Sequence, residues 1–460
     1  MLKDHLIHEN DTLKKTLKKT SGFFGKILCV IDKKKKLIGC LTAGDIRRAI
    51  LSGFSINQNI KKIYNKNVSF IFKKELISKK IKYSNLNNKE INESIFYLPI
   101  VNDKMQVIDI QSIDRVMEQI ENRKILKNNF KKLPKILIVG GAGYIGSVLC
   151  EKLLKLGYNI RVVDKLLYDE SSIKKFKKNK KFELIVSDIC DLNTQIHVVK
   201  NIDAVIFLAE IVGDPACNAK PEDALKTNYL SIASMSQLCS HIGISKFIYT
   251  SSCSVYGVDK NNKVLTETSQ LNPISHYARM KIMSEKALLS NKNEIFKPSI
   301  LRLGTVFGPS NRSRFDLVVN TMAKNAYYQK KINLHGGDQW RPNIHVEDVA
   351  EGIISILKSS SNKVGNQIFN LSSDISNYKI KDLALLAKKV FKKSSILVNK
   401  NQTDNRNYKV SSKKLYKATK FRATRSVESA YRSFYQFFKE NNRFNPEKKI
   451  YSNVRIINEK

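Results

Sequence analysis

No run of about 18 or more uncharged apolar residues occurs anywhere in the sequence, which excludes a chain built around a membrane-spanning helix. The opening stretch, MLKDHLIHENDTLKK, carries acids and lacks the apolar core of a secretory signal. Proline is scarce, with nine residues against a hydrophobic fraction of 42%, which is the balance of a globular chain. The seven cysteines, at 29, 40, 150, 190, 217, 239 and 253, are scattered and form no CxxC pair. A zinc site therefore has no basis, and no metal is expected. Most of them sit in apolar runs, as reduced buried thiols of a cytoplasmic protein do. Acidic residues are also few: 41 against 81 Lys and Arg, a net charge of +40. The excess is overwhelmingly Lys, spread along the whole chain and accompanied by abundant Asn and Ile, as when coding bias replaces surface residues. Base readers favour Arg interleaved with aromatics, and no such cluster occurs, so neither nucleic acid nor membrane is an expected partner. A positive field does help to gather small phosphorylated ligands.

A length of 460 residues predicts two or three domains with ample buried cores. The chain divides at the basic stretch NRKILKNNFKKLPK, which gives a module over 1–121, a linker over 122–134, a main domain over 135–440 and a tail over 441–460. The first module holds two similar half-units in helix–strand–turn–strand–helix order. One runs from DTLKKTLKKT through KILCVID and LIGCLT to AGDIRRAIL. The fainter second takes a polar helical stretch around 87–95, then FYLPIVND, VIDIQS and IDRVMEQI. This repeat resembles a tandem pair of CBS domains. In such modules a Thr and an Asp at the spacing of Thr42 and Asp45 hold the ribose and phosphate of an adenine nucleotide. The second half has Gln111 in the Thr position and keeps Asp114, so at most one site is intact. A dimerisation scaffold without ligand is the equal alternative.

In the main domain, KILIVGGAGYIGSVLCEKLLKLG (135–157) reads as a strand, a glycine loop and an amphipathic helix. Further strands are predicted at 159–164, 182–188, 203–209, 246–252 and 298–303, separated by helices, which predicts a doubly wound parallel sheet. Gly140 permits a tight turn, Gly143 lets the backbone approach a pyrophosphate, and Gly146 allows close helix packing. Asp164 ends the second strand, where an acid accepts from the adenosine ribose and repels a 2′-phosphate, favouring NAD over NADP. Asp188-Ile189 closes the third strand, within reach of the adenine.

Two further motifs follow. TSSCSVYG (250–257) ends the predicted fifth strand, and HYARMK (276–281) sets Tyr277 and Lys281 on one helical face. A free phenol has a pKa near ~10, so making it a base at neutral pH takes roughly 4 kcal/mol of differential stabilisation. A neighbouring ammonium and a positive nicotinamide are expected to supply it. The combination resembles the extended short-chain dehydrogenase/reductase superfamily, in its NAD-dependent nucleotide-sugar epimerase/dehydratase branch that includes the UDP-glucose 4-epimerases. The likeness covers about 135–440. It implies a Rossmann-type sheet with a small C-terminal substrate subdomain, NAD as cofactor, a homodimer, and Ser252, Tyr277 and Lys281 as the catalytic group. It extends the cofactor contacts to Tyr144, Ile145 and Asn228.

The same likeness speaks to substrate. Nucleotide-sugar 4,6-dehydratases carry Asp-Glu where this chain has Cys253-Ser254, so dehydration is disfavoured and oxidation followed by reduction at one carbon is favoured. Related epimerase–reductases use a Cys one position later, at Ser254, so Cys253 itself is not the expected nucleophile. Arg302 precedes Gly308-Pro309 in the strand-to-loop segment of the branch, and Gly304-Thr305 departs from the Asn of UDP-galactose 4-epimerases. LHGGDQWRPNIHVEDVA (334–350) and DNRNYKV (404–410) bring Arg341 and Arg406 to phosphate-binding positions, while VGDPAC (212–217) makes Asp214 a contact near the sugar and Ser254 another. The expected activity is an NAD-dependent epimerase of a nucleotide-activated sugar, acting at C4 in surface-glycan precursor synthesis. A nucleotide-sugar oxidoreductase is the first alternative, followed by a dehydratase and a non-catalytic sensor of NAD and adenylate.

Overall fold

The computed structural model describes residues 2–20, 27–77, 97–112, 133–259, 261–399 and 406–453. It forms two compact units, Met1–Lys132 and a larger one beginning at Leu133; the short pieces His241–Gly243 and Asn293–Ile295 group with the first.

In the first unit, strands Leu6–His8, Leu28–Ile31 and Leu37–Leu41 form one three-stranded sheet, and Ile71–Phe72, Tyr97–Val101 and Val107–Ser112 form another. Each sheet has a parallel pair followed by an antiparallel pair, with a register shift at Val30/Ile31 or Ile100/Val101. The two hairpin turns are built alike. Asp32 Oδ1 accepts from the Lys34 and Lys36 N–H groups, and Asn102 Oδ1 accepts from those of Lys104 and Gln106. These are the Asx turns that short acid and amide side chains favour. The two hairpins thus share one pattern of turn hydrogen bonds. The stretches 87–95 and 113–120, with Asp114, lie outside the described residues, as does most of the expected linker.

The second unit is built on seven parallel strands: β1 (Lys135–Val139), β2 (Asn159–Asp164), β3 (Phe182–Val186), β4 (Ala204–Phe207), β5 (Lys246–Ser252), β6 (Ser299–Leu303) and β7 (Gln367–Leu371). Their order, β7-β6-β5-β4-β1-β2-β3, is that of the doubly wound fold, and it reverses between β1 and β4. The central strands are near-continuous apolar runs because helices cover both faces; β4 is buried at every position. Helices α1 (Tyr144–Lys155), α2 (Ser231–Ile242), α3 (His276–Ser290) and α4 (Val346–Lys358) belong to this layering. The strand β7, QIFNL, is not among the expected strands, since two polar residues in five mask its buried apolar face.

A smaller layer carries Thr305–Phe307, Trp340–His345 and Asn377–Lys379 in a mixed sheet, with helices Val318–Tyr328, Ile380–Val390 and Val427–Glu440 around its own aromatic core. The segment expected as a tail from 441 is corrected here. Phe444 and Tyr451 pack their rings on Phe315, and Asn453 Oδ1 accepts from Arg312 at 2.8 Å, so the chain to residue 453 is part of this layer.

Candidate active site

One cavity of about 690 Å³ lies within the second unit, at the carboxyl ends of the strands where the sheet order reverses. Its lining includes Gly140, Gly143, Tyr144, Ile145, Gly146, Asp164, Asp188, Ile189, Asp214, Ser252, Ser254, Tyr277, Lys281, Arg341 and Arg406. These residues span most of the second unit's sequence and meet in one volume. Asn228 does not line it. It sits in a π-type turn (Lys226–Leu230), where its amide accepts from Ile211 N and donates to Ile211 O, both at 2.8 Å. It therefore fixes the loop after β4 from behind the cavity wall.

The glycine loop is a tight cradle. Gly140 takes φ +86°, and a Cβ there would lie 2.7 Å from Ala209 N. A Cβ at Gly146 would meet Gly140 O at 2.3 Å. At Gly143, which caps α1, the nearest atom would be Gly140 O at 3.4 Å, so that face is open to a ligand. Tyr144 donates to Gly308 O at 2.7 Å and pins the start of α1. Asp164 accepts from the Ala142 and Leu166 N–H groups, each at 2.9 Å, and burial pushes its carboxyl above the usual range. Lys165 pairs with Asp188 at 3.5 Å. Burial raises the Asp188 carboxyl, but the Cys190 N–H and Lys165 hold it low on balance.

The reactive end is set by β5 and α3. Ser275 caps α3 by accepting from Ala278 N, which fixes the first turn and with it Tyr277. Ser252 ends β5 and accepts from Ser254 N at 3.1 Å. Lys281 donates to Thr250 O at 2.5 Å and lies over the Tyr277 ring, 5.5 Å from its centroid. A fourth member, unexpected from sequence, stands between them. Glu210, just past β4, accepts from Lys281 Nζ, from Tyr249 Oη at 2.9 Å and from Tyr277 Oη at 3.5 Å. Sequence reasoning assigns the lowering of the Tyr277 pKa to a neighbouring ammonium together with a positive nicotinamide, and does not include Glu210. Burial first, and the Glu210 charge second, hold the phenol well above its ordinary value. Burial lowers the Lys281 ammonium against the pull of Glu210.

At the other end, Arg341 donates to Trp340 O and Arg406 O, and Arg406 faces Asp214 at 3.7 Å. Ser254 Oγ is buried at the cavity wall without a hydrogen-bond partner among the described residues. Arg312, stacked 3.4 Å from the Tyr168 ring centroid, and Arg314, paired with Asp316 at 2.9 Å, also line the cavity. The signal for them was the NRSR run just past Gly308-Pro309. Arg302 does not line it. It makes a buried two-point pair with Glu285 of α3, at 3.0 and 2.7 Å.

The sequence profile of the NAD dependent epimerase/dehydratase family matches residues 136–372, more than half of the chain. The chain belongs to this family. A UDP-glucose epimerase of Bacillus subtilis, itself uncharacterized, is 30% identical over 235 residues, 48% of this chain and 72% of the relative. Mouse sterol-4-alpha-carboxylate 3-dehydrogenase, decarboxylating, is 25% identical over 255 residues, 54% of this chain and 67% of that one. The crystal structure of a UDP-glucuronic acid 4-epimerase from Bacillus cereus, in complex with UDP-glucuronic acid and NAD, superposes with a TM-score of 0.60 at 25% identity, covering 66% of this chain and 99% of that one.

The family's cofactor, NAD, fits what the epimerase/dehydratase domain presents: a cradle that Cβ atoms would fill at Gly140 and Gly146, an open Gly143, and an acid at the end of β2. Among the described residues no cluster of three or more His, Cys, Asp or Glu side chains could hold a metal ion, and no helix is long and apolar enough to cross a membrane. Cys253 is buried, donates to Arg302 O at 3.3 Å, and has its thiol pushed far up by burial. Six of the seven cysteines are buried and Cys190 is half-buried. In the first unit, Thr42 and Asp45 bond each other. Thr42 Oγ1 caps Asp45 N at 3.2 Å, and the Asp45 carboxylate accepts from Thr42 N and Oγ1 at 2.7 Å and from Arg48 at 2.5 Å. This is a capping box at the start of the helix that follows Thr42.

Proposed function

We propose that this chain is an NAD-dependent epimerase of a nucleotide-activated sugar, working through transient oxidation at C4 in the supply of surface-glycan precursors. The observation that carries the reading is the meeting of Ser252, Tyr277 and Lys281 in the cavity that also holds the glycine cradle. Ser252 holds the reacting sugar oxygen. Tyr277 takes the hydroxyl proton and returns it to the same oxygen after the ketone has presented its other face. Lys281 orients the cofactor ribose and keeps a positive charge beside the phenol. NAD, when bound, accepts the hydride and gives it back, so it is regenerated in each cycle. Arg341 and Arg406 hold the diphosphate as forked donors, and Asp214 and Ser254 meet the sugar. Cys253-Ser254 offers no carboxylate pair for eliminating water, which favours epimerisation over dehydration.

A second reading, a net oxidoreductase, is favoured by the likeness to the sterol dehydrogenase. It uses the same residues and differs in releasing the ketone with a stoichiometric change in NADH. The first unit is read as a CBS pair that either takes an adenine nucleotide at Thr42 and Asp45 or serves as a dimerisation scaffold, in a cytoplasmic homodimer.

The test is incubation of the full chain with UDP-, dTDP-, GDP- and CDP-sugars, followed by proton NMR with NADH absorbance recorded alongside. A C4 epimer without net NADH supports the epimerase; a keto product with rising NADH moves it to the oxidoreductases. Tyr277→Phe is expected to lower kcat by at least about 10²-fold, and full turnover in that variant would refute the assignment.

A further inference from the structure

The carboxylate of Glu210 is the feature of the site that the proposed chemistry leaves unused. It stands in the loop after β4, with its side chain 4% exposed, and touches both members of the Tyr277–Lys281 pair. Every titratable group that faces it bears on its charge. Tyr249 comes from β5, Tyr277 and Lys281 from α3, and Cys217 from the segment that follows. Only Lys281 among these is a cation, and its ammonium is bonded to Glu210 itself. Around one buried ammonium there are thus two seats for negative charge, the carboxylate and the Tyr277 phenol. Two anions 3.5 Å apart in a dry site repel strongly, so the pair holds one negative charge and shares one proton.

We infer that Glu210 is the proton acceptor behind Tyr277, so that the phenol relays a proton instead of storing it. This rests on the epimerase reading of the same site. In the oxidative half, the O–H bond of the sugar breaks and its proton goes to Tyr277 Oη, while the Tyr277 proton goes to Glu210 Oε2. The carbon's hydrogen leaves with its electron pair to bound NAD, and the C=O bond forms. The return half reverses all of these moves, so no external oxidant or reductant is consumed. The charge balance gives the arrangement its sense. Oxidised nicotinamide is positive and reduced nicotinamide is neutral, while Glu210 is negative before the step and neutral after it. The net charge of a buried site therefore stays constant, and no uncompensated charge is created. Burial raises the Glu210 carboxyl above its usual range, toward the point where it can accept a proton at all, with Lys281 and Tyr249 opposing that rise.

Glu210→Gln in the full-length protein is the test, read by cofactor binding as well as by turnover. Titration of NAD and of NADH by calorimetry is expected to show the affinity for the oxidised form falling about tenfold or more relative to the reduced form. The kcat of the variant is expected to fall at least about tenfold, with KM little changed, and to recover as pH rises above neutral, because Tyr277 must then give up its proton to solvent. Glu210→Asp keeps the charge but shortens the reach to Tyr277. It is expected to keep the wild-type cofactor preference while kcat falls, and it supplies the test if the Gln variant does not fold. Equal changes in NAD and NADH affinity for Glu210→Gln, or a kcat profile parallel to wild type, would overturn the inference, as would an altered preference in Glu210→Asp. If the wild-type chain turns over no nucleotide sugar, the epimerase reading falls, and the cofactor preference still decides the charge role of Glu210.

Discussion

The pair of Arg302 and Glu285 ties the catalytic helix to the sheet, and its removal has a calculable consequence. Arg302 is 2% exposed on β6 and Glu285 3% exposed on α3, one turn beyond Lys281. The guanidinium donates through Nε at 3.0 Å and Nη2 at 2.7 Å, and Ser251 adds a third bond to the carboxylate at 2.5 Å. Among the described residues, Glu285→Leu would leave a buried guanidinium with only Tyr256 Oη at 3.0 Å and a long contact to Glu267 O. Breaking one side of such a pair costs about 3–5 kcal/mol. With an unfolding entropy of about 2.1 cal/mol/K per residue over roughly 300 residues, Tm should fall by about 5–8 °C. Because Tyr277 and Lys281 ride on the same helix, kcat should fall with it. Arg302→Met alone should behave similarly, whereas the double variant removes both charges and should recover most of the stability, giving a coupling above about 2 kcal/mol. Calorimetric melting of the four proteins is the assay. Losses that add to within about 0.5 kcal/mol would show that the two charges do not depend on each other and would refute the reasoning.

The glycine loop predicts a contrast: Gly146→Ala drives a methyl to 2.3 Å from Gly140 O and should lower stability by about 2–3 kcal/mol, whereas Gly143→Ala has its nearest contact at 3.4 Å and should melt like wild type. The Gly143 methyl takes the space left for the cofactor, so NADH affinity measured by fluorescence should drop about tenfold there. His345, the cap of α4, has its pKa lowered to about 4 by burial, so the unfolded chain binds the extra proton first. The stability it protects is complete above the unfolded value near ~6.5 and is lost as pH falls toward the folded value, about 2 kcal/mol by pH ~5. His345→Asn should flatten that loss in melts recorded between neutral pH and pH ~5.

What could be read from sequence was whatever local pattern controls. Six strands are apolar runs because both faces of the sheet are covered, and the glycine loop and the four-residue spacing of Tyr277 and Lys281 encode their geometry within one turn. What could not be read depends on distance in the chain. Glu210 meets Lys281 across 71 residues, and no spacing rule links the end of one strand to the middle of a helix that far on. Arg302 matched a family segment but spends its charge on Glu285, because a guanidinium on a buried strand must find a carboxylate in the next layer. Asn228 was expected at the cofactor and instead locks Ile211, since the π-type turn that rotates it away leaves no mark in composition. The residues past 440 looked polar enough to be a tail, yet two aromatics and Asn453 suffice to seat them.

The burial of the thiols makes the molecule its own clock. Cys29 and Cys40 lie in the core of the first unit, while Cys150, Cys217, Cys239 and Cys253 lie in that of the second. A small alkylating reagent is blind to such groups until the surrounding structure opens. Mass-resolved labelling of the natural sequence therefore reports which unit opens first and how often. Cys190, half-buried beside the cavity-lining Ile189, reports separately on the cofactor end of the active site.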